Sequence, residues 1–314
     1  MLSVTQLSKK YADKTVLDDV SFNIAPGEIV ALLGANGSGK TTTINSICQL
    51  IEYDAGDIQF GGQSIQSNRQ YLSQIGAVLG GSRNINWRLT ASQNAEYFAA
   101  LRGHSGKAVK HNIAQLQQRL GLDKYAKLEV LKLSTGNKQK AALLSALAYS
   151  PKLLLLDEPT LGLDLDTVQE LQDIIGQQSS DSGQAFLITS HDMSFIDKIC
   201  QKVIVIDQGK VIFSGTIDAL KNTLYSYKLR AQLANSVDEV ELEKNLHDLC
   251  AGRYQLQFEQ NVLRVDYETP EQVMPLLSWL HTQNICPTEL SITPLQMEDA
   301  FRSLTQAAKQ EEKS

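Results

Sequence analysis

Gly34-Ala35-Asn36-Gly37-Ser38-Gly39-Lys40-Thr41-Thr42 is the stretch from which the rest of this chain is read. The apolar run Ile29-Val30-Ala31-Leu32-Leu33 before it reads as a buried strand. Ile44, Ile47 and Leu50 after it have the spacing of the inner face of a helix. A strand, a glycine-rich turn and a helix in that order form a phosphate cradle. The glycines let successive backbone N–H groups turn inward, and the helix N-terminus adds partial positive charge toward the same point. The spacing satisfies G-x-x-x-x-G-K-[ST] in full. Lys40 is therefore expected to reach the β- and γ-phosphates of a nucleotide, and the Thr41 hydroxyl to bind Mg²⁺.

The bulk properties narrow the remaining possibilities. A chain of 314 residues holds one large domain and a small one, or two medium ones. It is 42% hydrophobic and 20% charged, the balance of an ordinary globular protein. Its net charge of −6, without a dense Lys/Arg block, argues against nucleic acid as the partner. Cys48, Cys200, Cys250 and Cys286 are far apart and form no C-x-x-C pair, which suggests neither a zinc site nor a disulfide framework. The first residues lack the charge and apolar core of a signal peptide. No apolar run approaches the ~20 residues needed to cross a bilayer. If the protein moves something across a membrane, a second chain is expected to supply the channel.

Ahead of the cradle the sequence reads as short strands: Leu2 to Val4, Val16 to Val20 and Phe22 to Ile24, with a turn at Pro26-Gly27. Tyr11 is expected in the polar turn between the first two, where its ring could stack on adenine. After the cradle helix, Asp54 to Asp57 reads as a turn, Ile58 to Phe60 as part of a hairpin, and Ile75 to Leu79 as a short strand ending in Gly80-Gly81. Thr90 with Gln93 has the capping-box spacing for a helix stopping at Gly103. Lys107 to Leu120 reads as a second helix and Lys138 to Tyr149 as a third, so residues 88–150 form a mostly helical insertion in an α/β domain. Leu153 to Leu156, Ala185 to Thr189 and Val203 to Ile206 read as buried strands. From 225 to 314 the pattern becomes strand, helix, hairpin, helix, strand, helix, which contains the ferredoxin-like order of a small α+β domain.

Chemistry-bearing residues stand where the buried strands end, the place where open α/β sheets bind ligands. Asp157 can hold Mg²⁺ through water, and Glu158 can accept a proton from an attacking water, an effect of about 10²–10⁴ in rate. His191, at the end of the next strand, could contact a γ-phosphate and position that water.

Taken together, these residues resemble the ATP-binding cassette ATPases over residues 1–224. Gly34 to Thr42 matches the family's Walker A loop and Leu153 to Glu158 its Walker B strand with the catalytic glutamate. Leu133-Ser134-Thr135-Gly136-Asn137 resembles the signature motif, and Leu161-Gly162-Leu163-Asp164 the D-loop. His191 is similar to the switch histidine, and Tyr11 to the adenine-stacking aromatic. The resemblance implies ATP and Mg²⁺ as cofactors, with Gly34, Ala35, Asn36, Gly37, Ser38, Gly39, Lys40, Thr41 and Thr42 on the phosphates and Thr41 and Asp157 at the metal. It also implies a head-to-tail pair of cassettes, formed by this chain with itself or a close relative. Ser134 and the Gly136 backbone of one copy would then bind the γ-phosphate held by the other.

The sequence departs from the family at two places. Thr135 and Asn137 replace a glycine and a glutamine of the signature motif, which leaves Ser134 and Gly136 in place. No glutamine follows the strand at 75–79; Gly80-Gly81-Ser82-Arg83-Asn84 stands there instead. The stretch Gly81 to Thr90 and the ending Pro294 to Phe301 resemble the type II exporter branch, which serves drug, antibiotic, bacteriocin and polysaccharide export. The resemblance therefore implies an exporter ATPase on the cytoplasmic face of the membrane, peripheral and bound to a separate integral permease subunit. The competing expectations are an importer ATPase and a soluble cassette acting on ribosomes or DNA. Against the last, this sequence has neither the two cassettes in one chain nor the long coiled coils that such proteins carry.

Overall fold

The computed structural model describes residues 1–12, 14–68, 70–80, 85–222, 227–233, 254–259, 261–267, 269, 273–283, 285–294 and 304. The chain divides into two compact units, Met1–Thr216 and Ile217–Ser314. This division falls short of the 224/225 boundary expected above.

The first unit contains two sheets. Strands β1 (Leu2–Tyr11), β2 (Lys14–Ile24), β4 (Ala55–Phe60) and β5 (Gln63–Ser64) form one antiparallel sheet in the order β2-β1-β4-β5. The other runs β10-β9-β3-β8-β7-β6, from β3 (Ile29–Leu33), β6 (Ile75–Val78), β7 (Leu153–Asp157), β8 (Ala185–Thr189), β9 (Lys202–Asp207) and β10 (Lys210–Thr216). Its interior pairs are parallel, and β10 closes one edge as an antiparallel hairpin with β9. Every residue of β3 and β8 is buried, as is Leu153 to Leu156 of β7. Strands covered on both faces need such continuous apolar runs. Helix α1 (Lys40–Ile47) contributes Ile44 and Ile47 to a core cluster that also draws Leu2, Val20, Leu32 and Leu155 from the two sheets.

Helices α2 (Ala91–Leu101), α3 (Lys107–Arg119) and α4 (Thr135–Leu147) fill the region expected to be helical. Thr90 caps α2 in a complete capping box with Gln93, which satisfies two otherwise orphaned N–H groups. Asn94, fully buried, exchanges hydrogen bonds with the backbone of Asn86 and ties the preceding loop to α2.

Several local expectations change. The strands expected at 16–20 and 22–24 are one strand, β2, and β1 continues well past Val4. Positive φ at Gln6 (50°) and Asp19 (58°), together with shifts of register, mark bulges. The ladder runs through them while the alternation in sequence is lost. Tyr11 therefore ends β1, paired with Lys14, instead of occupying a turn. β4 begins at Ala55, within the expected turn. α4 begins three residues early, because Ser134 is its N-cap and accepts a hydrogen bond from the Asn137 N–H at 3.3 Å. α5 (Leu165–Ser182) and α6 (Met193–Ile199), which the pattern reading left out, are each capped by an aspartate, Asp164 and Asp192.

In the second unit α7 (Ile217–Asn222) is followed by β11 (Tyr227–Leu233), β12 (Tyr254–Glu259), β13 (Val262–Tyr267), α8 (Met274–Thr282) and β14 (Pro287–Pro294). The four strands are antiparallel in the order β12-β13-β11-β14, which is the ferredoxin-like sheet. Leu229, Ala231, Leu263, Val265, Leu276 and Leu280 form its core. The helix expected at 237–250 lies outside the described residues, as does all but residue 304 of the one expected at 295–308.

Leu155 is fully buried in β7 between two parallel neighbours. Leu155→Ala is expected to destabilise the first unit by roughly 2–5 kcal/mol, read as a lower urea midpoint of the transition that reports this unit.

Candidate functional site

The parallel order β3-β8-β7 sets three strand ends side by side, and each delivers one part of the site. From β3 the chain enters the glycine-rich loop and then α1. The turn leaves no room for side chains at two positions. A Cβ on Gly34 would lie 2.2 Å from the Ile206 carbonyl oxygen, and one on Gly39 would lie 2.6 Å from Leu17 Cδ2, at φ +114°. Lys40, the first residue of α1, is buried, and its ammonium donates to the carbonyl oxygens of Gly34 (2.7 Å) and Ala35 (3.1 Å). Burial holds its pKa below the ordinary lysine value, while the carboxylates of Glu158 and Asp157 act in the opposite direction.

From β7 come Asp157 and Glu158, and from β8 come Thr189, Ser190 and His191. Asp157 is paired in register with Thr189, whose Oγ1 donates to Asp157 Oδ1 at 2.6 Å. Immediately afterwards the chain turns on Glu158, which has a left-handed backbone at φ 51°. A non-glycine residue there costs on the order of 1–3 kcal/mol, and such strain persists only where the surroundings enforce it. They do so here, because the Glu158 N–H donates to both the carbonyl oxygen (3.0 Å) and Oγ1 (3.1 Å) of Thr189. The turned carboxylate accepts from the His191 backbone N–H at 3.2 Å and lies 3.4 Å from His191 Nε2.

These groups face one cavity of about 240 Å³, lined by Asn36, Gly37, Gly39, Lys40, Thr41, Thr42, Asp157, Glu158 and His191, together with Val16. Its composition suits a bound polyphosphate: backbone N–H groups, a helix N-terminus and an ammonium on one side, with two carboxylates and an imidazole on the other. Gly34, Ala35 and Ser38, also expected on the phosphates, do not line the cavity: the carbonyls of the first two hold the Lys40 ammonium, and Ser38 is buried. The Thr41 hydroxyl and the Asp157 carboxylate are hard oxygen donors on the same cavity, the chemistry Mg²⁺ takes. Among the described residues no group of three or more His, Cys, Asp or Glu forms a protein-only metal cage.

The remaining expected residues lie elsewhere. Ser134 and Gly136 do not line this cavity; they begin α4, beside Leu163 and Thr167. The Thr135 methyl group lies against Gly162, 3.6 Å from where a Cβ there would stand, so the altered signature motif packs on the segment before α5. Tyr11 is also absent from the lining and is exposed, with the Lys9 ammonium 5.4 Å from its ring centre. Gly81, Ser82, Arg83 and Asn84 lie outside the described residues. Val16 and Thr189 were missed by the sequence reading. The Thr189 hydroxyl has no local signal, because its partner is 32 positions away and only the pairing of β7 with β8 brings them together.

Comparison with known proteins agrees with this geometry. The family model described as ABC transporter matches residues 17–161. The chain is 34% identical over 225 residues to the ABC transporter ATP-binding protein NatA of Bacillus subtilis, an alignment covering 70% of this chain and 91% of NatA. It is 33% identical over 214 residues to the Nod factor export ATP-binding protein I of Burkholderia pseudomallei, covering 67% of this chain and 69% of that protein. Among solved structures, an ATP-binding subunit of an ABC transporter superposes with a TM-score of 0.66 at 28% identity, covering 71% of this chain and 92% of that one.

Two substitutions separate holding the nucleotide from using it. Lys40→Ala is expected to abolish tight ATP binding, measured by isothermal titration. Thr189→Val removes the hydroxyl that pins Asp157 and supports the Glu158 turn; turnover is expected to fall about tenfold, a change of ~1.4 kcal/mol in barrier, while ATP still binds.

Proposed function

The chain belongs to the ABC transporter ATPase family, and from that premise we propose that it powers export through a separate integral membrane subunit. It is an ATP-binding cassette with ATPase activity. In our reading it works by closing head to tail on a second copy of itself when ATP binds.

One observation carries the paired arrangement. Lys40, Thr41, Asp157, Glu158 and His191 share a single cavity, whereas Ser134 and Gly136 stand outside it on a separate helix start. Ser134 is exposed, and Leu161 and Leu165 on the neighbouring segment are 77% and 88% exposed. Apolar side chains exposed to that degree next to a polar helix start favour burial against another protein surface. A second copy would cover them and bring its own Ser134 and Gly136 to the far side of the γ-phosphate.

The residues then divide the work. The loop N–H groups and the start of α1 hold the phosphates, and the Lys40 ammonium exchanges the Gly34 and Ala35 carbonyls for phosphate oxygens. Thr41 and Asp157 are the residues that would hold Mg²⁺, which neutralises phosphate charge when bound. Glu158 accepts the proton of the attacking water. His191, hydrogen-bonded to that carboxylate through its backbone, keeps the water aligned with the γ-phosphate. Hydrolysis breaks the bond to the γ-phosphoryl group that the two copies share, and the contacts made through it are lost as phosphate leaves, which opens the pair.

The export direction is supported by the likeness to a protein named for Nod factor export and by the branch resemblance of residues 81–90 and 294–301. Among the described residues no helix is long and apolar enough to cross a membrane. We therefore assign the channel to another chain and this subunit to the cytoplasmic membrane face.

Glu158→Gln keeps the size of the side chain and removes the base. With ATP, the variant is expected to elute as a stable dimer in size-exclusion chromatography with light scattering, and its turnover to fall at least about 100-fold. Hydrolysis by the variant at the parent rate would remove Glu158 from the mechanism.

A further inference from the structure

Tyr11 is the last residue of β1, and it is 48% exposed. It does not line the nucleotide cavity, yet the strand pair that carries it reaches the cavity wall. Tyr11 pairs with Lys14 and Lys10 with Thr15; the ladder then skips Val16, because Lys9 pairs with Leu17. The skipped residue lines the cavity. Its carbonyl oxygen lies 3.0 Å from where a Cβ on Gly39 would stand, so this bulge packs against the phosphate loop itself. The Tyr11–Lys14 pair stands two residues away along β2, roughly 7 Å. An exposed aromatic ring so close to a polyphosphate site is placed to meet the base of the same nucleotide.

An exposed tyrosine at a strand end has several rotamers open to it. This one is restrained. Lys9 lies two residues back on β1, on the same face of the strand, and its ammonium stands over the ring, 5.4 Å from the centre. A cation within about 6 Å of a ring centre is attracted by the negative face of the ring. The Lys9 side chain is only 14% exposed and is itself anchored, because its Nζ donates to Asp54 Oδ1 at 3.0 Å. Asp54 is fixed in turn: its Oδ2 accepts the Lys10 N–H at 2.6 Å, and its own N–H donates to the Ser8 carbonyl oxygen at 2.9 Å. The Lys10 N–H, and after it the Lys9 ammonium, hold the Asp54 carboxyl below the usual carboxylate range. Among the described residues no second ring or cation lies against Tyr11. One face of the ring is thus covered by an anchored cation, and the other is left for a planar ligand.

We propose that Lys9 is a positioning residue for the nucleotide base: anchored by Asp54, it holds the Tyr11 ring from one side so that a purine stacks on the other. The inference rests on the nucleotide-site reading above and extends it from the phosphates to the base. The gain is one of preorganisation, since a side chain ordered before binding has no rotamer freedom left to lose when the ligand arrives. Neither Lys9 nor Asp54 lines the cavity that holds the phosphates. Their contribution therefore shows in the grip on the base and not in the grip on the phosphates.

The test is a double-mutant cycle on the full chain, with ATP binding measured by isothermal titration in the absence of magnesium so that no turnover intervenes. Tyr11→Leu removes the ring, and Lys9→Met removes the charge while keeping the stem. Tyr11→Leu is expected to weaken ATP binding about tenfold or more, and Lys9→Met about three- to tenfold. The two together should cost no more than Tyr11→Leu alone, because Lys9 acts only through the ring. Lys9→Arg keeps a cation that lies well on an aromatic face and should bind ATP as the parent does. Inorganic triphosphate, which has no base, should be held equally by the parent and every variant. If the parent binds neither ATP nor triphosphate, the nucleotide-site reading fails and this inference with it. If the parent binds ATP and Tyr11→Leu binds it equally well, the ring is no platform for the base and only the present inference falls. The Lys9 assignment is likewise overturned if Lys9→Met binds ATP as the parent does, if it costs as much without the ring as with it, or if triphosphate weakens in step with ATP. Asp54→Asn removes the charge of the anchor, keeps an acceptor oxygen, and runs the same cycle if Lys9→Met does not fold.

Discussion

The reactive end of this protein depends on the register of β7 against β8. Asp157 lies opposite Thr189 because Leu153 to Leu156 are buried on both faces and fix the strand's position. A slip of one residue would turn every side chain of β7 to the other face of the sheet. Thr189 then acts through two atoms. Its hydroxyl holds one oxygen of Asp157, and its carbonyl and hydroxyl together accept the N–H of Glu158. With that N–H fixed, the left-handed turn at Glu158 becomes the available path for the chain, and it carries the carboxylate to His191. One strand pairing therefore sets the metal-binding oxygen, the base and the histidine at once.

The same economy holds on the opposite wall. Lys40 is buried, yet it is held between two backbone carbonyls and within the field of two carboxylates. Its ammonium is thus oriented by groups of the loop that precedes it. Glycine is needed there because other atoms lie where a Cβ would stand: the Ile206 carbonyl oxygen at Gly34, and the Leu17 side chain with the Val16 carbonyl oxygen at Gly39. Strands remote in sequence, β2 and β9, thereby shape a loop whose motif looks purely local.

What was legible in the sequence follows from this division. The cradle could be read because strand, turn and helix are contiguous there, and β7 and β8 because a doubly covered strand must be apolar throughout. The order of strands and helices after residue 225 pointed to the ferredoxin-like sheet. The length of β1 and the continuity of β2 were hidden, because bulges at Gln6 and Asp19 respectively break the alternation while preserving the ladder. The start of α4 was placed late, because Ser134 was read as part of a motif and not also as a cap. α5 was missed: its surface is largely polar, and its boundaries rest on Asp164 and on Gly183 at φ 64°. Thr189 could not be found locally at all, since only the fold brings its hydroxyl to Asp157.

α4 joins the signature stretch to the catalytic strand end. Its thirteen residues rise about 20 Å, beginning at Ser134, which in our reading contacts the partner copy's nucleotide. Gln139 and Ala141 to Leu147 are all buried, so the helix cannot bend or rotate without disturbing the packing around it. The Gln139 side-chain amide donates to the Pro159 carbonyl oxygen, one residue beyond the Glu158 turn. A nucleotide of the partner copy held at Ser134 would therefore act on an element that is tied to this copy's own catalytic turn. If the closed pair of cassettes and the open pair hold α4 differently, thermodynamic linkage makes the influence equal in both directions: each bound nucleotide changes the affinity for the other by the same factor.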